Sequence, residues 1–264
     1  MVWIQVENLF IRNMKFKLLL ATIFTLNLSS SVIPDYKAKY LFERDDFSVT
    51  GIRELKILDN NEYSFTFNAR TLLVVSMDFK SNFIIENSKL LSKNYHVKIR
   101  PKSVNKDQNI KFDSENLIIA SSGINTWESP LDKTTFPADP LNAQIQIRLN
   151  LLNGMEEFYI NLIDMKTGGI KKNFYSLDGK ETVVFNNKEY SCVLLKRYRE
   201  SDKRITTYYL IPELDYMFYK VIDESPDEYQ KLKLKELLIF GKSTPILPLI
   251  FTASIFITCF TFFI

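Results

Sequence analysis

Histidine is almost absent from this 264-residue chain, with His96 the single copy. A Ser–His–Asp or Cys–His constellation would have to use it, and a histidine-based zinc site lacks partners. His96 lies in Tyr95-His96-Val97-Lys98-Ile99, an alternating run that reads as a strand with a partly exposed imidazole. Cysteine is nearly as scarce. Cys192 sits in an apolar run and reads as a buried, inert thiol, and Cys259 lies in a hydrophobic C-terminal stretch. They form no CxxC pair, and a bridge between a sheet and a membrane segment is implausible, so the redox compartment stays open. With 7 glycines there is no Gly-rich linker, and Gly168-Gly169 lacks the spacing and the Lys-Ser/Thr of a phosphate loop. The formal net charge is only +3 and the basic residues are spread along the chain, so no nucleic-acid partner is expected. Asp45-Asp46, Glu156-Glu157 and Asp223-Glu224 are adjacent carboxylates in or beside turns. Neighbours on a strand point opposite ways, which makes them poor acid–base pairs. No catalytic residue, metal site or cofactor is expected from these patterns.

What is abundant is apolar and aromatic surface: 46% hydrophobic residues, with 21 Phe and 13 Tyr. That is ample for a core and argues against general disorder. Tyr36, Ala38, Tyr40 and Phe42 alternate with other residues, as do Tyr63, Phe65, Phe67 and Ala69. Period two over such runs predicts strands with one apolar face. Asp59-Asn60-Asn61 predicts a hairpin turn, because Asn tolerates positive φ. Further strands are expected at 77–85, 95–100, 110–112 and 117–120, then a long surface loop over 121–138 that holds Pro130 and Pro137. Strands resume at 158–164, 170–177 and 182–185, with turns at Gly168-Gly169, Asp178-Gly179 and Asn186-Asn187. Around Cys192–Leu195 both faces are apolar, which predicts a centrally placed strand over Tyr190–Tyr198. Tight turns follow at 199–203 and Pro212-Glu213, and Ser225-Pro226-Asp227 turns the chain again. Lys231-Leu232-Lys233-Leu234-Lys235 predicts a solvent-facing last strand whose lysines resist edge-to-edge pairing.

One helix interrupts the strands. Asp139 is placed to cap it, Pro140 suits its first position, and Gly154 its left-handed end. Leu141, Ile145, Leu149 and Leu152 recur at helical spacing and predict one apolar stripe laid against the sheet. Capping explains Asp139 without catalysis. The expected fold class is mainly β: an antiparallel, strongly curved or partly closed, half-barrel-like sheet with one short helix packed on it.

The ends are of different material. Lys15 and Lys17 precede an apolar run, Leu18–Leu28, and the small residues Ser29-Ser30-Ser31. This is a secretory signal pattern, with Met14 a plausible true start. Residues 1–33 are therefore expected to be lead and signal, 34–240 a β-rich domain, and 241–264 an apolar tail. Ile246 to Ile264 carries no charge and as a helix would span roughly 28 Å at about 1.5 Å per residue, which suits a membrane anchor. Lys231, Lys233, Lys235 and Lys242 before the tail would favour a cytoplasmic domain by the positive-inside bias. The first segment usually dominates, so the periplasmic side of the inner membrane is expected, with Gly241-Lys242-Ser243-Thr244 as hinge.

Three stretches carry a family resemblance. Tyr36-Lys37-Ala38-Lys39-Tyr40 with the following Gly51 is one, and Asp139-Pro140-Leu141-Asn142 running to Arg148 is another. The third is Tyr208-Tyr209-Leu210-Ile211-Pro212-Glu213-Leu214-Asp215-Tyr216. In this order they resemble a bacterial envelope family known as domain of unknown function 3108. Asn142 replaces the family's usual Ser, Tyr209 stands where Trp is common, and Met217 falls near an expected Pro. The resemblance implies export to the periplasm and an antiparallel, partly closed sheet. It implies no established activity and does not account for the apolar tail.

Aromatic faces are the most informative functional feature. Tyr36, Tyr40, Tyr63, Phe65, Tyr209 and Phe218 are candidates for the lining of a concave cleft that takes an acyl chain or hydrophobic peptide; the alternative is plain core packing. The expected function is an exported, non-catalytic cell-envelope protein that binds an amphiphile or an envelope protein partner. The alternatives are a hydrolase-type periplasmic enzyme that uses His96 or scattered carboxylates, and a structural assembly factor.

Overall fold

The computed structural model describes residues 33–44, 47–71, 75–100, 106–199 and 203–240. The expected signal segment and hinge, the Asp45-Asp46 pair and the apolar stretch with Cys259 lie outside them. The alternating runs form fourteen strands. The first eight are β1 (Asp35–Arg44), β2 (Phe47–Ile57), β3 (Glu62–Arg70), β4 (Ser76–Glu86), β5 (Lys89–Arg100), β6 (Lys106–Asp113), β7 (Ile118–Gly123) and β8 (Trp127–Pro130). After the helix α1 (Ala143–Leu152) come β9 (Glu157–Ile163), β10 (Ile170–Phe185), β11 (Lys188–Arg199), β12 (Arg204–Ile211), β13 (Met217–Ser225) and β14 (Glu228–Phe240).

All fourteen make one antiparallel sheet in the order β8-β7-β6-β5-β4-β3-β2-β1-β14-β13-β12-β11-β10-β9. Each half is a meander of sequence neighbours, and the two halves join where β1 pairs with β14. The sheet does not close, since β8 and β9 are its free edges. Those edges are nevertheless stitched together. Ala138 forms a parallel bridge with Leu162. Gln108 Nε2 and Trp127 Nε1 both donate to the Met165 carbonyl, at 2.6 and 3.2 Å, and Ser129 Oγ donates to the Gly168 carbonyl at 2.8 Å. Bulges at Lys39/Tyr40, Asn82/Phe83, Leu177/Gly179 and Tyr209/Leu210 add the local bend and twist that curl so long a sheet.

Several expectations are corrected. Tyr190–Tyr198 lies in β11, third from an edge, and not at the centre. Its two-faced burial has another cause. Val193 and Leu195 pair with Leu210 and Tyr208 in the core, while the turn Pro212–Leu214 packs against the strand with Glu213 near the Cys192 thiol. β14 is not an edge strand either: it is paired on both sides, with Lys231 3.0 Å from Glu43 and Lys233 over the Tyr219 ring. Asp178-Gly179 is a bulge within the continuous strand β10, where Gly179 takes φ +135°, a value open to glycine and strained for other residues. The span 121–138 includes β8, which its sparse apolar pattern hid.

The helix differs most. Ile145, Ile147, Leu149 and Leu151 are all buried, so apolar residues cover opposite sides of α1. It sits within the curl of the sheet and is covered on both sides, not by one stripe alone, although Gln144, Gln146, Arg148 and Asn150 interrupt its apolar residues. Polar side chains pin it there. Gln146 accepts from Leu90 N–H and donates to the Ser88 carbonyl, and Arg148 Nε donates to the Asp215 carbonyl at 2.9 Å.

Candidate functional site

The start of α1 is fixed by a reciprocal cap. Asp139 Oδ1 accepts from Leu141 N–H and Asn142 N–H, while Asn142 Oδ1 accepts from Asp139 N–H at 2.9 Å. The helical ladder opens with Ala143 N–H donating to the Asp139 carbonyl. The second carboxylate oxygen accepts from Ser81 Oγ at 2.6 Å, which ties the cap to β4. Asp139 is fully buried. Burial raises its pKa from 3.8 to about 7, against the lowering effect of the Ser81, Asn142 and Leu141 hydrogen bonds.

Anchored in this way, the N-terminal half of α1 roofs a cavity of about 500 Å³. Pro140, Leu141, Ala143, Gln144 and Ile147 form the helix side. Across from them stand Phe42, Phe67, Met77, Phe79 and Tyr95 from the first half of the sheet, and Leu162, Tyr175, Tyr208, Val221 and Leu232 from the second. Phe67 and Phe79 stack at 5.7 Å, and Tyr175 lies 6.0 Å from Tyr208. Burial pushes the Tyr95 and Tyr175 hydroxyls well above their usual range and keeps both phenols neutral. Gly51 makes room for this wall: a Cβ there would lie 2.3 and 2.5 Å from two atoms of the Phe67 ring.

The cavity's polar groups are few. Arg53, only 8% exposed, places its guanidinium 4.7 Å from the Tyr40 ring centre and 5.6 Å from that of Phe67. Arg197 Nη2 donates to Thr206 Oγ1, which donates to Asp223 Oδ1 at 2.5 Å. Asp223 is also paired with Arg204 at 2.7 Å, and Lys231 with Glu43. The lining is thus an apolar, aromatic chamber bordered by Arg53, Arg197 and Lys231, with its one carboxylate already engaged.

None of the six aromatic residues singled out from the sequence lines this chamber. Tyr36 packs edge-on against Phe65 at 6.0 Å and under the Arg148 guanidinium; Tyr63 stacks on Phe83 at 5.5 Å. Tyr40 donates its hydroxyl to the Phe218 carbonyl at 2.7 Å, and Phe218 meets Tyr208 edge-on. Tyr209 is half-buried, with the Lys220 ammonium 3.6 Å from its ring centre. The lining comes instead from neighbouring inward positions. One legible signal was available. The register Val49-Gly51-Arg53-Leu55 sets a charged residue among apolar ones on a strand's inward face.

His96 is half-exposed, 3.0 Å from Asp107, which also meets Lys98 at 3.1 Å. These two partners hold the Asp107 carboxyl below its usual range. The cavity is lined by the neighbouring Tyr95, not by His96. Cys192 is fully buried, and burial pushes its thiol up to about 12, which leaves it unreactive.

A family model described as a protein of unknown function (DUF3108) matches residues 35–234. Among solved structures, the chain is similar to the crystal structure of a beta-barrel-like protein of the domain of unknown function DUF1849 from Brucella abortus. The TM-score is 0.54 at 10% identity, over 79% of this chain and 99% of that one. At that identity the likeness concerns the fold alone. No curated protein matches the chain.

Proposed function

We propose, for a chain that belongs to the DUF3108 family of proteins of unknown function, a non-catalytic role in binding a single-chain amphiphile in the cell envelope. The observation that carries this reading is the roughly 500 Å³ aromatic cavity between α1 and the sheet. Its size falls within the ~300–1,000 Å³ range of small-molecule sites, and its walls are mostly apolar with few polar groups. An acyl chain suits such walls, because burial of each methylene contributes about 0.8 kcal/mol. Lipid extraction of the purified protein followed by mass spectrometry tests it. Recovery of one amphiphile per chain is expected. Gly51→Val should reduce that recovery several-fold, because the added side chain drives the Phe67 ring from its place in the wall. Recovery of no ligand from either protein contradicts the reading.

The envelope location rests on the sequence: the signal pattern near Met14 and the uncharged run from Ile246. In this reading the β-rich domain lies on the periplasmic side of the inner membrane, held by the tail. Truncation after Lys242 should move the protein from the membrane pellet to the soluble periplasmic fraction with its thermal midpoint unchanged. A truncated chain that stays in the pellet or loses stability rejects the anchor.

A further inference from the structure

Arg53 is a buried charge in the cavity wall with no ion-pair partner among the described residues. It is inward-facing on β2 and buried, and its Nε has no hydrogen-bond partner among the described residues. The acids placed at the cavity wall or on its lysine are committed elsewhere. Asp223 holds Arg204 and Thr206, and Glu43 holds Lys231. Tyr40, whose ring Arg53 covers, donates its hydroxyl to the Phe218 carbonyl, and its neutral phenol oxygen is the polar contact Arg53 has there, not an anion. Arg197 repeats the pattern from the opposite half of the sheet. Its guanidinium meets Thr206 through Nη2 and the Tyr175 hydroxyl, while its Nε has no hydrogen-bond partner among the described residues. Two guanidinium groups therefore border an apolar chamber with open donors and no free carboxylate among the lining residues. A buried cation without an anion is costly, and the two aromatic faces beneath Arg53 offset only part of that cost. A planar guanidinium also matches the two oxygens of a carboxylate or phosphate.

We propose that the amphiphile carries an anionic head, a carboxylate or a phosphate, which is held in the cavity by Arg53 with Arg197 as the second donor. This rests on the amphiphile-binding reading and specifies its ligand class. The head then sits at the guanidinium groups while the chain lies among Phe42, Phe67 and Phe79.

The test is a set of calorimetric titrations of the full-length protein in digitonin. The probes are dodecanoate, dodecyl phosphate, dodecanol and dodecyltrimethylammonium. At least one of the two anions should bind tenfold or more tightly than dodecanol, with the ammonium probe weakest; the tighter anion identifies the head. In Arg53→Gln the anions should fall to the level of dodecanol, while dodecanol itself changes less than twofold. Arg53→Lys, which keeps the charge, should retain more of the preference than Arg53→Gln and shows that the loss is not one of folding. Equal binding of all four probes to the unaltered protein overturns the anionic-head proposal and leaves amphiphile binding standing. Binding of none overturns both.

Discussion

Asp139→Ala is expected to destabilise the protein by about 3–5 kcal/mol in a urea melt, while Asp139→Asn changes it far less. A simple exposed cap is worth about 1 kcal/mol, but this one is fully buried. Its removal leaves the Leu141 and Asn142 amides and the Ser81 hydroxyl without an acceptor, at about 1–3 kcal/mol for each buried group left unsatisfied. Asparagine can still accept both amides through its Oδ1. Charge adds a second signature. The Asp139 pKa rises on folding from 3.8 to about 7. The folded state therefore keeps a proton that the unfolded chain has released. This contribution to stability is complete below about pH 4 and is lost as the pH rises through about 7. Ser81 can serve either state, since its hydroxyl donates to the carboxylate and accepts from the acid. The stability difference between the native protein and Asp139→Asn should accordingly fall between pH 4 and 7. A difference that stays flat across that window shows that the folded state keeps Asp139 ionised.

Leu149→Ala should cost about 2–5 kcal/mol, measured in the same way, because Leu149 is 1% exposed within the curl of the sheet. Ile147→Ala, on the opposite side of α1, should cost a similar amount. A helix laid on the sheet by one stripe would respond strongly at Leu149 and weakly at Ile147. Comparable losses at both positions are the mark of a helix enclosed on all sides, and a marked inequality contradicts that placement.

These two sites show what the sequence made legible. The Asp139-Pro140 cap located the helix, since its residue types fit one local geometry. Period-two alternation located β1 and β3 for the same reason, and Asn186 and Asn187, at φ 49° and 60°, form the turn their side chains favour. Enclosure of the helix was harder to read. Ile145, Ile147, Leu149 and Leu151 alternate at period two, so a search for one 3.6-period stripe catches only half of them. The pairing of β1 with β14 was also hidden, because alternating lysines look the same on an exposed edge as on the wet face of a central strand, where Lys231 meets Glu43 of β1. For the cavity, sequence marked the strands that supply aromatic residues but not which rings pack and which border open space. That depends on the bulges and on where α1 enters the curl, and both are settled by long-range packing.

The central claim is that the chamber between α1 and the sheet takes the chain of an anionic amphiphile. Crystallography of the full-length protein with 12-bromododecanoate, with data collected at the bromine edge, tests it most directly. The account predicts one anomalous peak inside the chamber near Phe42, Phe67 and Phe79, with the carboxylate density against Arg53. A chamber that holds only water, or a bromine bound elsewhere on the protein, contradicts it.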